Sequence, residues 1–194
     1  LFRAYGLPMT LVTMSRNGGF SSACNAGARQ AKAETLALVN SDVIPTGDGW
    51  LTGLARKLDR RAKIGMVGPK LLYHDGALQH AGLYFQRDDK GCWFNHHYFK
   101  GMPGNYAPAN RERRVPGVTG ACMVMPRTLF AELGGFDDAY VIGDYEDSDL
   151  CLKQQLLGKF QTAHGFQRRW QGGPGKHRRG RRRNIPASPP EGFH

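Results

Sequence analysis

The run Gly134 to Lys153, GGFDDAYVIGDYEDSDLCLK, concentrates six carboxylates in an otherwise basic chain. They are Asp137, Asp138, Asp144, Glu146, Asp147 and Asp149. Gly134-Gly135 reads as the stop of a preceding helix, because glycine takes the left-handed conformation at helix ends. Asp144 is placed to cap a new helix, with Glu146 and Asp147 in its first turn, where the backbone dipole favours negative charge. Leu150, Cys151, Leu152, Leu156 and Leu157 then surround most of that helix, which predicts a largely buried element. Lys153 stands four residues after Asp149 and supplies it with an ion-pair partner. Asp147 has no such partner, and its i+3 and i+4 neighbours are Leu150 and Cys151. A carboxylate against an apolar wall has its pKa raised towards neutrality, as a general base requires. Helix capping is the competing reading of the same acids, and position alone does not separate the two. An EF-hand loop is excluded, because its regular spacing of acids and its glutamate at the twelfth place are absent.

Working outward, the upstream chain alternates short apolar runs with helical stretches. Leu11–Met14 reads as a buried strand and Asn17-Gly-Gly19 as the turn that leaves it. Ser21 or Ser22 can cap an alanine-rich helix through Ala33. Thr35–Val39 is a second strand, ending in Asn40-Ser41-Asp42. A helix follows from about Asp48, and Ile64–Val67 forms a third strand closed by Gly68-Pro69. This order predicts a parallel sheet with right-handed crossovers. Leu71–Tyr73 and Leu78–Phe85 flank His74-Asp-Gly76 as a hairpin. Residues 86–114 lack periodicity, and their aromatics either line a substrate or cover the sheet. Val115–Met125 reads as one strand and Arg127–Leu133 as a short helix.

The net charge of +11 is unevenly placed. Residues 158–194 hold nine Lys or Arg against one acid, leaving eighteen against fifteen in the first 157. A folded body, 1–157, followed by a basic and unstructured tail, 158–194, is the expected organisation. The four cysteines form no C-x-x-C pair, so buried reduced thiols are expected and a zinc site is not. No apolar run reaches membrane-span length and nothing at the start reads as a signal peptide; the reduced thiols are the ground for expecting a cytoplasmic protein.

Eight stretches, in order, resemble glycosyltransferase family 2, and within it the bacterial rhamnosyltransferase-like enzymes of surface polysaccharide assembly. They are Asn17–Phe20, Asn25–Gly27, Leu38–Asp42, Val67–Leu71, Leu78–Gly82, Gly117–Cys122, Gly134–Asp138 and Tyr145–Cys151. The resemblance implies a GT-A fold, that is, an α/β, Rossmann-like mixed sheet with flanking helices. It also implies inverting transfer of a sugar from a nucleotide-diphosphate donor, assisted by Mg²⁺ or Mn²⁺, to a saccharide or lipid-linked acceptor. Asp42 matches the family's metal-binding aspartate, with Asn40 at the first place of that motif. Asp147 matches the catalytic base, with Glu146 beside it. Asn17, Gly19 and Asn25 match the segment near the nucleotide, and Gly120 and Ala121 the place where donor and acceptor approach the sheet.

Against the family pattern, the chain opens beyond the first nucleotide-binding strands, about 30 or more residues of βαβ structure. After Leu157 it departs from the usual metal-site segment, as a shifted reading frame would, and His164 lacks the expected surroundings. A truncated catalytic domain, with doubtful turnover of its own, is therefore the expectation. A lipid-linked acceptor would place the protein at the inner face of a membrane; nucleic acid is not an expected partner. Two alternatives stay open: a GT-A remnant without activity, and a basic protein that binds nucleic acid or membrane through the Arg-rich segment.

Overall fold

The computed structural model describes residues 8–59, 61–140, 144–164 and 169–170. Three layers form the body. Helix α1 (Gly19–Gln30) leads into strand β1 (Thr35–Val39), followed by the short β2 (Val43–Ile44) and helix α2 (Trp50–Ala55). Then come β3 (Ile64–Pro69), β4 (Leu71–Leu72), β5 (Leu78–His80), β6 (Leu83–Arg87) and β7 (Trp93–His97). The remainder is β8 (Arg113–Val115), β9 (Cys122–Pro126), α3 (Arg127–Glu132), α4 (Glu146–Leu156), β10 (Phe160–His164) and β11 (Arg169–Trp170).

The central sheet has the order β1-β9-β3-β10-β8. Here the structure corrects the parallel sheet read from the order of the first strands and bears out the mixed sheet that the family resemblance implies. β9 runs antiparallel to both β1 and β3, whereas β3 and β10 are parallel. The sequential order of β1 and β3 gives no hint that a strand from much later in the chain inserts between them. Strand alternation assigns the faces. Leu36, Leu38, Met66, Met123 and Met125 join one core with Leu129, Phe130, Leu150 and Cys151, which places α3 and α4 on that face. Phe20, Cys24 and Ala28 bring α1 to the same side. Ala37, Val67 and Val124 point the other way, onto Leu54 and Trp50 of α2.

Several local expectations change. Leu11–Met14 forms no strand and is exposed, Leu11 at 78%; those residues pair with no sheet edge. The hairpin around His74-Asp-Gly76 is present as β4 and β5, but its second arm ends at His80. Gly82, at φ +103, breaks the run, and β6 turns away to pair with β7. That hairpin, with a 3₁₀ turn at Ala107–Asn110 and β8, occupies most of the aperiodic stretch. Its aromatics divide. Tyr98, Phe99 and Tyr106 pack over the sheet, whereas Trp93 and Phe94 are exposed. Val115–Met125 is two strands, because Pro116, Gly117 and Gly120 interrupt the ladder with a turn.

The sheet also runs past Leu157, where the sequence pattern puts the end of the folded body. β10 lies between β3 and β8, and β11 pairs with β2 and β4. Residues 171–194, with most of the Arg-rich run, lie outside the described residues. No helix among the described residues is long and apolar enough to cross a membrane.

Two glycines with positive φ give a stability test. A Cβ at Gly82 would stand 2.5 Å from Val115 Cγ1, whereas Gly76, at φ +85, opens on free space. Gly76→Ala should cost about 1 kcal/mol of backbone strain. Gly82→Ala should cost about 3 kcal/mol, because overpacking adds to that strain. Urea unfolding of both variants measures the difference.

Candidate active site

The turn between β8 and β9 builds the site. Its four successive amides, Val118 to Ala121, each donate to a side chain. Val118 N–H meets Cys151 Sγ at 3.4 Å and Thr119 N–H meets His80 Nε2 at 3.4 Å. Gly120 N–H donates to Asp147 Oδ2 at 2.9 Å, and Ala121 N–H to Thr119 Oγ1 at 3.3 Å. The turn has no freedom left in its donors. A Cβ at Gly120 would press on the Phe20 ring at 3.2 Å and on Asp147 Cβ at 3.4 Å, so glycine lets these elements meet without displacing the ring.

Asp147 is buried in the first turn of α4, 8% exposed. Its second oxygen, Oδ1, accepts the Ser148 hydroxyl at 3.1 Å. Desolvation raises its pKa to about 6, and the neighbouring Glu146 adds to the rise. The hydrogen bonds from Gly120 and Ser148 oppose it, so burial wins. Position had paired Asp147 with apolar neighbours, and the structure adds the amide that holds it. Asp149 pairs with Lys153 at 2.7 Å, as the i,i+4 spacing predicts.

Asp144 does not cap α4. Tyr145 precedes the helix, and no side chain bonds its first amides. Asp144 instead sits at φ +93, outside the extended region a cap requires, with its carbonyl accepting Asn95 Nδ2 at 2.8 Å. Nor is α4 buried all round. Leu150 and Cys151 face the core, but Leu152, Leu156 and Leu157 are exposed, Leu156 at 87%.

Of the other predicted residues, Asn40 is tied to the same turn, whereas Asn17 and Asn25 are held elsewhere. Asn40 N–H donates to the Ala121 carbonyl at 2.9 Å, which continues the β1–β9 ladder and fixes the Asn40–Asp42 turn against the residue next to Gly120. Asp42 follows the end of β1, and its Oδ1 is buried without a hydrogen-bond partner. Glu146 is buried, its Oε2 equally unpartnered; burial pushes the Cys24 thiol on α1 up to about 11, and the charge of Glu146 adds to the rise. Asn17 Oδ1 accepts Gly19 N–H at 3.0 Å, so this pair shapes the entry to α1. Asn25 is spent on the acidic loop: Nδ2 donates to Phe136 O and Asp138 Oδ1, and Oδ1 accepts Phe136 N–H. Among the described residues no cluster of three His, Cys, Asp or Glu could hold a metal ion by itself.

Sequence reasoning passed over His80, Asn95, His97 and Ser148. The first belongs to a quoted motif, Leu78–Gly82, but without an assigned role. Asn95 and His97 lie in the aperiodic stretch, where nothing in the pattern marks them.

Comparison with known proteins now bears on this geometry. The pattern that defines glycosyl transferase family 2 matches residues 2–134. The chain belongs to that family. It is 32% identical over 144 residues to the uncharacterized protein y4gI of Sinorhizobium fredii, covering 74% of this chain and 16% of that protein. It is also 32% identical over 145 residues to the O-antigen biosynthesis protein RfbC of Myxococcus xanthus, covering 72% of this chain and 11% of the relative. The chain thus spans a small part of the length of both. A crystal structure of GalNAc-T7 with UDP, GalNAc and Mn²⁺ superposes with a TM-score of 0.60 over 81% of this chain and 31% of that one, at 16% identity. The glycosyltransferase fold is GT-A, as the family resemblance implies.

Asp147 also sets a pH dependence. Its folded pKa, about 6, lies above the ordinary aspartate value of 3.8, so between those values the folded state holds a proton that the unfolded chain releases. Stability from this group is complete below about pH 4 and is lost as pH rises through 6. The loss should be about 1–3 kcal/mol. Urea unfolding from pH 4 to 7 should show it in the parent, and Asp147→Asn should abolish that part of the slope.

Proposed function

We propose that this chain carries the catalytic domain of an inverting glycosyltransferase, moving a sugar from a nucleotide-diphosphate donor to a saccharide or lipid-linked acceptor in surface polysaccharide synthesis. One observation carries the reading. Gly120 and Ala121, adjacent in one turn, bind Asp147 on one side and the Asn40–Asp42 turn on the other. A base and a diphosphate-side carboxylate are thereby held to a single piece of backbone.

Asp147 would accept the proton of the acceptor hydroxyl. The acceptor oxygen then bonds to the anomeric carbon from the face opposite the nucleotide. The carbon–oxygen bond to the diphosphate breaks, and its electron pair leaves with the phosphate. A pKa of about 6 leaves Asp147 mostly ionised at neutral pH yet far more basic than an exposed aspartate. Gly120 N–H and the Ser148 hydroxyl orient its two oxygens.

Asp42 would hold the divalent cation. Its buried, unpartnered Oδ1 is a free acceptor beyond a strand end, where open α/β sheets bind ligands. A single carboxylate fits Mg²⁺ or Mn²⁺ in such a site, since the donor's phosphates and water complete the shell. When bound, the ion supplies charge neutralisation to the departing diphosphate. The relationship to an O-antigen biosynthesis protein supports the polysaccharide context, and a lipid-linked acceptor would bring the enzyme to the cytoplasmic face of a membrane.

Two measurements separate the roles. Calorimetry with UDP and Mn²⁺ should show weaker binding to Asp42→Ala, by about 1–3 kcal/mol, and unchanged binding to Asp147→Asn. Equal affinity for Asp42→Ala and the parent would end the metal assignment. In a transfer assay, Asp147→Asn should lose about 10²–10⁴ in rate. Asp149→Asn should lose little beyond an ion pair worth about 0–1 kcal/mol of stability. Loss of equal size in the two variants would remove Asp147 as the base.

A further inference from the structure

The hairpin strand β7 turns two side chains inward, and both lead to Asp147. Side chains two apart share a face of a strand, so Asn95 and His97 point the same way. Asn95 Nδ2 donates to Ser148 Oγ at 2.9 Å, and Ser148 Oγ donates to Asp147 Oδ1 at 3.1 Å. With its lone pairs taken up by Asn95, the hydroxyl proton is aimed at the carboxylate. The same amide group holds the carbonyl of Asp144, which fixes the entry to α4.

The second route runs through His97. Its Nδ1 lies 2.9 Å from Nδ1 of the fully buried His80. His80 Nε2 faces two backbone donors, Gly82 N–H at 3.2 Å and Thr119 N–H at 3.4 Å. A nitrogen that accepts carries no proton, so the proton of His80 sits on Nδ1 and is donated to His97. That pins Thr119, whose neighbour Gly120 donates to Asp147 Oδ2.

We infer that β7 positions the catalytic carboxylate, with Asn95 setting Oδ1 through Ser148, and His97 setting Oδ2 through His80 and the Thr119-Gly120 backbone. Asn95, His97 and His80 are positioning residues that touch no substrate. The inference rests on Asp147 being the base, but the geometry it claims can be tested without any transfer reaction.

The electrostatic surroundings suit a fixed relay. Burial lowers the pKa of His80 well below its ordinary value, with His97 and Arg113 adding to the shift. His97 is lowered to about 4 by burial, with Lys100 and His96 as the facing charges. Burial thus favours the neutral form of both rings. Arg113 is itself engaged, donating to the Ala81 carbonyl at 2.7 Å. Glu146 and the buried Cys151 are the titratable groups beside Asp147.

The test is nuclear magnetic resonance on the intact chain. Nitrogen shifts of His80 in the parent should show Nδ1 protonated and Nε2 bare, a result that needs no variant to fold. The ¹³C shift of the Asp147 carboxyl, located by its loss in Asp147→Asn, gives the titration midpoint. His80→Leu and Asn95→Ala should each raise that midpoint by about one pH unit, because each weakens a hydrogen bond to the ionised form. His80→Gln, whose amide oxygen replaces Nε2 as acceptor, should restore it. An Nε2–H tautomer for His80 would overturn the inference. So would an unmoved midpoint in folded His80→Leu or Asn95→Ala. Full transfer activity in Asp147→Asn, by contrast, would end only the base assignment.

Discussion

The hydrogen bond from Gly120 N–H to Asp147 Oδ2 is the contact on which the rest of the site depends. It joins elements far apart in sequence, a turn entering β9 and the first turn of α4. The absence of a side chain at 120 eases this contact, because a Cβ there would crowd the Phe20 ring at 3.2 Å. The contact requires α4 to lie close to the sheet, which the burial of Leu150 and Cys151 drives, each apolar side chain contributing about 1.5–3 kcal/mol. Packing therefore delivers the carboxylate to the amide, and the amide then keeps it from being fully protonated in an apolar wall. Neither force alone leaves a group poised near neutrality.

The turn itself is stabilised in an unusual way for a buried loop. Its amides are out of the sheet ladder, so each would carry a desolvation penalty of about 1–3 kcal/mol if left unmade. Cys151, His80, Asp147 and Thr119 each take one. These acceptors come from α4, β5 and the turn, so the loop acts as the junction between the helical layer and the hairpin region. Small residues at 117, 120 and 121 are what allow that junction. Gly117 faces Leu83 and Cys151, where a Cβ would approach to 3.2 Å and 3.6 Å.

Much of this was legible in the sequence, for reasons that can be named. Apolar runs with clear ends, such as Thr35–Val39 and Ile64–Pro69, gave strands because nothing in them competes with the pleat. The Asp149–Lys153 pair followed from helical spacing, and the isolation of Asp147 followed from the lack of such a pair. The insertion of β9 between β1 and β3 was not legible, because strand order is set by faces that meet only in three dimensions. Leu11–Met14 misled for the opposite reason: its short, mostly apolar run suits a buried strand, but a strand needs an edge to pair with. The extension past Leu157 escaped because β10 is only five residues long, Phe160–His164, and polar at its centre. Gln161 there is buried by donating Nε2 to the Cys151 carbonyl, a contact no hydropathy pattern reveals. His97 and Asn95 were hidden in an aperiodic stretch, where a polar residue reads as solvent-facing until its acceptor is known.

The two central aspartates differ in a way that bears on their chemistry. Asp147 has both oxygens engaged, by Gly120 and Ser148, and lies 8% exposed. Its remaining lone-pair capacity suits a proton, a ligand that needs one acceptor site and no change in the surrounding bonds. Asp42 has a buried oxygen with no partner, held beyond a strand end by the Asn40 contact with Ala121. An unfilled anionic acceptor costs free energy until a cation or donor reaches it. The proposed transfer would use that asymmetry, with one carboxylate satisfied and raised in pKa and the other bare. Because Gly120 and Ala121 are consecutive, the contact that holds Asp147 and the contact that holds Asn40, two residues before Asp42, share one stretch of backbone.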